Sequence, residues 1–198
     1  MTDRHPGGLS MTRHLLEISG LSSTRSGGFA HGGSADQVSR MPFRILDMGC
    51  GDGQTVRLLQ DMGFAAEGID RHPETAAGDL PVHTGDFLHC PFEDGTFDAI
   101  CSECAFYISG DAPAALKEAA RLLKKHGRLL LADVSFVSPE SHIQWLEEAG
   151  FSVLALEDIT SQWKDYYISC IWDGTADRLC GCFPKGKCSF YLTICERM

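Results

Sequence analysis

Residues Phe43–Gln54, FRILDMGCGDGQ, hold a short apolar run, Ile45-Leu46 with Met48 close behind, and an acidic residue, Asp47, near its end. Glycines follow at alternate positions, Gly49, Gly51 and Gly53. Beyond them Val56, Leu58, Leu59 and Met62 recur at helical spacing, and Gly63 stands where a helix stops. The order is strand, glycine turn, helix: the opening βα unit of an α/β sheet that binds a nucleotide. A ligand that approaches bare backbone needs glycine there, and the turn needs φ values that other residues resist. The N-terminus of the following helix offers unpaired N–H groups to such a ligand.

Glycine spacing narrows the choice of nucleotide. The dinucleotide fingerprint G-x-G-x-x-G, counted from Gly49, calls for a third glycine at the position of Gln54. The phosphate-binding G-x-x-x-x-G-K-[ST] is missing as well, which argues against a phosphoryl-transfer loop. What stands over Asp47–Gly53 is acidic-x-G-x-G-x-G. That pattern resembles motif I of the class I S-adenosylmethionine (SAM) dependent methyltransferases, and the chain is similar to their small-molecule, type 11-like branch. The resemblance runs from about Pro42 to the C-terminus. It implies SAM as cofactor, with Asp47, Gly49, Cys50, Gly51 and Gly53 in its site.

Composition agrees with such a domain. A chain of 198 residues suits one domain with a full core. Apolar residues make up 43% and charged residues 22%, as in ordinary soluble globules. Nothing resembles a signal peptide or the ~18 consecutive apolar residues of a membrane span, so a cytoplasmic protein without membrane partners is expected. The net charge is −10, from 27 acidic and 17 basic residues, with no basic run. Phosphate backbones are poorly held by such a surface, and nucleic acid is disfavoured as a partner. Nine cysteines, an odd count, read as reduced thiols in that compartment.

In chain order, Leu9–Ile18 (LSMTRHLLEI) is a candidate amphipathic helix, and the Gly/Ser-rich stretch Ser19–Arg40 reads as a mobile loop. The loop is either a surface linker or a lid that closes through Phe29. Residues 1–41 therefore form an N-terminal segment, and residues 42–198 the cofactor-binding domain. Ala65–Ile69 is a short strand ending at Asp70, 19 residues beyond Gly51. A carboxylate there accepts hydrogen bonds from both hydroxyls of a ribose diol. Arg71 and His72 follow as flanking candidates. Pro81–Thr84 is a third strand, followed by Gly85-Asp86-Phe87. The resemblance implies that Asp86 meets the adenine amino group while Phe87 covers the ring.

Ala99–Ser102 is the fourth strand and opens into Glu103-Cys104-Ala105-Phe106-Tyr107-Ile108. Ligands of open α/β sheets sit beyond the carboxyl ends of strands, so this loop faces the methyl group. In the family it resembles, it is motif IV, without the Asn/Asp-Pro-Pro-Tyr/Phe used on nucleic acids and proteins. Ser102 is placed with the cofactor residues. Glu103 is the candidate general base and Tyr107 the candidate substrate-orienting residue.

Asp111 and Pro113 open a helix with a Leu116, Ala119, Ala120, Leu123 stripe, and Lys124, Lys125 and His126 read as its last turn before Gly127. Arg128–Val134 and Phe151–Asp158 read as strands on either side of a helix opened by Ser138-Pro139. The alternation argues for a doubly wound parallel sheet in a single α/β domain. The resemblance implies a Rossmann-like seven-stranded sheet, its last strand, Ser189–Cys195, antiparallel. In the loop before that strand, Cys180-Gly181-Cys182 and Cys188 lack the C-x₂₋₄-C spacing of structural zinc. No metal is assigned, and uncommitted thiols are expected.

The function expected is SAM-dependent methyl transfer to a small-molecule acceptor. The alternative is a non-catalytic SAM-fold protein or a cysteine-based metal-binding regulator.

Overall fold

The computed structural model describes residues 7–21, 42–73, 79–175 and 186–198. In chain order the elements are α1 (Gly8–Ile18), β1 (Arg44–Met48), α2 (Gln54–Asp61), β2 (Ala65–Asp70), β3 (Val82–Thr84) and β4 (Phe97–Glu103). They continue with α3 (Phe106–Ser109), α4 (Ala112–Leu122), β5 (Leu123–Ser135), α5 (Pro139–Glu148), β6 (Phe151–Asp158), α6 (Thr160–Trp172) and β7 (Ser189–Arg197). The strands form one seven-stranded sheet in the order β3-β2-β1-β4-β5-β7-β6. From β3 to β5 all neighbours are parallel. β7 runs antiparallel to both β5 and β6 and lies between them. This is the doubly wound, Rossmann-like sheet with an antiparallel last strand.

Side chains alternate across the pleat and fill two cores. Ile45 and Leu130 join Leu15 and Leu16 of α1, Val56 and Leu59 of α2 and Trp163 of α6 on one face. Leu46, Leu129 and Leu131 join Phe106 of α3, Leu116 of α4 and Leu146 of α5 on the other. Covering both faces is what makes the Leu129–Ala132 run of β5 continuously apolar. The N-terminal helix α1 is thus seated in the same core as the central strands. Among the described residues no helix is long and apolar enough to cross a membrane.

The end of α4 differs from its expected position. Lys124, Lys125 and His126 are not its last turn: the helix stops at Leu122 and β5 begins at Leu123. Leu123 is fully buried and pairs with Phe97 of β4, and the ladder then resumes at Ala99 with Arg128. The residues between bulge outward, with His126 in the left-handed region at φ 64°. Burial of Leu123 outweighs the favourable placement of cations at a helix end. Elsewhere the expected strands are present, most of them a residue or two longer at their ends. Phe29 and the other residues from 22 to Arg40, like Cys180 and Cys182, lie outside the described residues.

Candidate functional site

The chain reverses its winding direction between β1 and β4, which are neighbours in the sheet. The crevice beyond their carboxyl ends is the usual ligand position in such a sheet. A cavity of about 490 Å³ lies there.

The first wall is the turn after β1. The N–H groups of Gly49 and Cys50 both donate to the Ile69 carbonyl of β2, at 2.9 and 3.2 Å. Gly51 donates its N–H to one Asp70 carboxylate oxygen at 3.0 Å, and His72 donates to the other at 2.8 Å. The two backbone bonds fix the plane of the Asp70 carboxylate, and its remaining lone pairs can still accept a diol. Gly49 has φ 87°, and a Cβ there would lie 2.3 Å from the Ala105 Cβ. Gly51 has φ 52°, and a Cβ there would meet no atom within 4 Å. Any side chain at Gly51 would therefore enter open space in the cavity lining.

The second wall follows β4. Cys104, with φ 58°, makes a sharp left-handed turn that brings Ala105 against Gly49. Glu103 lines the cavity from the last position of β4. Its Oε1 accepts a hydrogen bond from the Thr12 hydroxyl at 2.7 Å. From α1 Gly8 and Leu9, and from α3 Ile108 and Ser109, complete this side.

The cavity is acidic. Asp47, Asp52, Asp70 and Glu103 all line it, with Arg71 and His72 at the same wall. Asp47 is 4% exposed, and burial pushes its carboxyl well above the usual carboxylate range, with Glu103, Asp70 and Asp52 adding repulsion. The Arg71 cation is matched by Asp86 at 2.6 Å, which holds the Asp86 carboxyl below its ordinary value. Such a pocket favours a cationic ligand. SAM, with its sulfonium and ammonium, fits it: the glycine turn leaves room, Asp70 has acceptor capacity, and the buried Phe87 supplies an apolar wall.

The structure brings together Asp47, Gly49, Cys50, Gly51, Asp70, Arg71, Phe87 and Glu103 in the cavity lining. Gly53 instead caps α2 from behind the turn. The Ser102 hydroxyl donates to the Met48 carbonyl at 2.8 Å, tying β4 to β1 beneath the wall. Asp86 precedes Phe87 in the chain but is engaged by Arg71 and by the Leu88 N–H. Tyr107 lines a separate small cavity of about 40 Å³, together with Asp133 and His142. Its N–H donates to the Asp133 carboxylate at 2.8 Å, and its ring packs on Phe136.

Sequence reasoning missed Thr12, Thr55, Gly8 and Leu9, because an amphipathic period announces a buried face and not what a single hydroxyl on it reaches. Two thiols near the cavity are quiet: burial pushes Cys50 and Cys101 well above the ordinary thiol range, so they stay protonated. Among the described residues no group of three His, Cys, Asp or Glu is placed to hold a metal ion.

Residues 46–131 match the family described as Methyltransferase domain. The chain is 30% identical over 139 residues to an uncharacterized methyltransferase of Bacillus licheniformis, covering 64% of this chain and 65% of that protein. It is 32% identical over 101 residues to a demethylmenaquinone methyltransferase of Corynebacterium kroppenstedtii, covering 46% of this chain and 42% of that protein. The chain thus spans less than two thirds of the length of these relatives. The structure of a geranyl diphosphate methyltransferase in complex with SAM shares the fold, with a TM-score of 0.63 at 15% identity over 79% of each chain.

Proposed function

We propose that the chain, whose residues 46–131 match a methyltransferase domain, is a class I SAM-dependent methyltransferase of the type 11 branch and methylates a small-molecule acceptor held against Glu103. The observation that carries this reading is the convergence of the glycine turn, Asp70 and Glu103 on one cavity at the switch point of the sheet.

When bound, SAM would supply a methyl group activated on a cationic sulfur, with a neutral thioether as leaving group. The residues of the chain bind, orient and deprotonate. The Gly49–Gly53 turn leaves backbone open to the cofactor, and Asp70 accepts the ribose hydroxyls. Phe87 would cover the adenine, and Asp86, steadied by Arg71, would meet its amino edge. The acid-lined wall balances the cationic end. Glu103 accepts the proton of the acceptor atom as that atom bonds to the methyl carbon, and the surrounding wall holds the two in line.

A small acceptor is supported by the size of the cavity and by the net charge of −10, which disfavours nucleic acid. Relatives and neighbours named for demethylmenaquinone and geranyl diphosphate support the same class. Titration of SAM into the protein by calorimetry tests the cofactor assignment, and a panel of acceptors with labelled SAM tests the transfer. Saturable binding that Gly51→Val abolishes is expected. A parent protein that does not bind SAM would overturn the reading.

A further inference from the structure

Thr12 sits on α1, fully buried, 91 residues before Glu103 in the chain. A threonine hydroxyl inside a helix ordinarily donates to a carbonyl one turn back. The Thr12 hydroxyl donates instead to Glu103 Oε1 at 2.7 Å. A hydroxyl has one proton to give, so this contact is made at the expense of the local one. Two longer contacts converge on the same oxygen, from the Thr55 hydroxyl of α2 at 3.5 Å and the Cys101 thiol of β4 at 3.8 Å.

Among the described residues, several like charges face that carboxylate. Asp47 of β1, Asp52 of the turn and Asp70 of β2 face the same cavity, along with Cys50, Cys104, Arg71 and His72. The acids oppose a further negative charge, and the Arg71 cation is already matched by Asp86. Hydrogen bonds donated to a carboxylate favour its ionised form and fix its rotamer. From α1, Gly8 and Leu9 line the cavity as well, so one helix both walls the acceptor space and reaches the base within it.

We propose that Thr12 is a positioning residue: its hydroxyl aims the Glu103 carboxylate and keeps it ionised among its acidic neighbours, ready to take the acceptor's proton. The role assigned to Glu103 rests on the methyl-transfer reading, whereas the effect of Thr12 on Glu103 is measurable without any acceptor.

The test compares Thr12→Val, which keeps the shape and removes the hydroxyl, with Thr12→Ser, which keeps the hydroxyl. The carbon-13 carboxyl signal of Glu103, assigned by its loss in Glu103→Gln, is followed against pH. Thr12→Val is expected to move the midpoint up by about one pH unit, a roughly tenfold gain in proton affinity, and Thr12→Ser to restore it. SAM affinity measured by calorimetry should stay within about threefold in both variants, because the glycine turn and Asp70 are untouched. Turnover of an acceptor from the panel should fall in Thr12→Val at unchanged KM for SAM and return in Thr12→Ser. Should Thr12→Val not fold, Thr12→Ala carries the same comparison. An unmoved midpoint on loss of the hydroxyl, or Thr12→Ser behaving like Thr12→Val, overturns the proposal. A parent protein that fails to bind SAM would sink the cofactor assignment while the midpoint still decides the Thr12 link.

Discussion

Across the cavity, the Gly49–Gly53 turn and the Glu103–Ser109 segment are built on different principles. The turn is backbone bonded to backbone, through Gly49 and Cys50 to Ile69, with one carboxylate, Asp70, as its side-chain anchor. The opposite wall is held by side chains from distant parts of the chain: Thr12 grips Glu103, and Asp133 of β5 accepts the N–H of Tyr107 at the start of α3. The walls meet where Gly49 leaves room for Ala105. A backbone wall can serve one invariant ligand. A wall of side chains can be recut without disturbing the sheet, which suits the half of the site that faces a variable acceptor.

Substitutions on either wall should fail in different ways. The largest effect is expected for Gly51→Val, which combines a left-handed φ with a side chain thrust into open space. SAM affinity should fall by at least ~10³-fold, about 4 kcal/mol, and calorimetry showing parental affinity would refute the backbone-wall account. Glu103→Gln should do the reverse, lowering turnover by ~10²-fold or more while SAM affinity changes only a few-fold. Turnover surviving that swap would remove Glu103 as the base. Asp70→Ala comes next, with SAM binding weakened by ~1.5–3 kcal/mol, the range for a hydrogen bond to a charged group. An unaltered dissociation constant would reduce Asp70 to a brace for the turn.

A separate effect, on stability rather than on the cavity, concerns the peg beneath α3. Burial raises Asp133 to about 7, against opposing backbone bonds, and burial lowers the nearby His142 to about 4. The raised acid contributes stability that is full below its unfolded value of 3.8 and is lost as pH rises through about 7. The depressed base contributes stability that is full above its unfolded value of 6.5 and is lost as pH falls through about 4. The two slopes oppose each other across almost the same window, so the contributions of this pair to the parent's urea midpoint largely cancel there. Asp133→Asn should unmask a rise in stability with pH, and His142→Phe a fall. Parallel slopes in the two variants would contradict this assignment.

The backbone wall was legible because everything it needs is local: a strand, alternate glycines, and an acid 19 residues on. The two-faced sheet was legible for a similar reason, since runs such as Leu129–Leu131 only make sense with a core on each side. The side-chain wall was not. Thr12 occupies the buried face of an amphipathic helix and reads there as filler; its partner lies 91 residues away. Tyr107 reads as a cavity residue by its place beside Glu103, yet the helical turn of α3 sets it against Phe136 and the smaller cavity. Lys124–His126 carry a helix-end pattern, but the burial of Leu123 claims the chain for β5 one residue earlier.

The position of β7 bears on how the domain is made. β6 pairs with β7 and with no other described strand, and Phe190, Leu192 and Ile194 of β7 all pack into the core shared with α1, α2 and α6, each at most 1% exposed. During synthesis from the N-terminus, β5 and β6 therefore exist before the strand that joins them. Until β7 arrives, β5 presents an unsatisfied edge and β6 has nowhere to dock, the condition in which nascent chains stick to one another. β7 is thus the wedge that locks the half-built sheet, and a ribosome that stalls just short of it leaves a product fit for a chaperone or a protease rather than a finished fold.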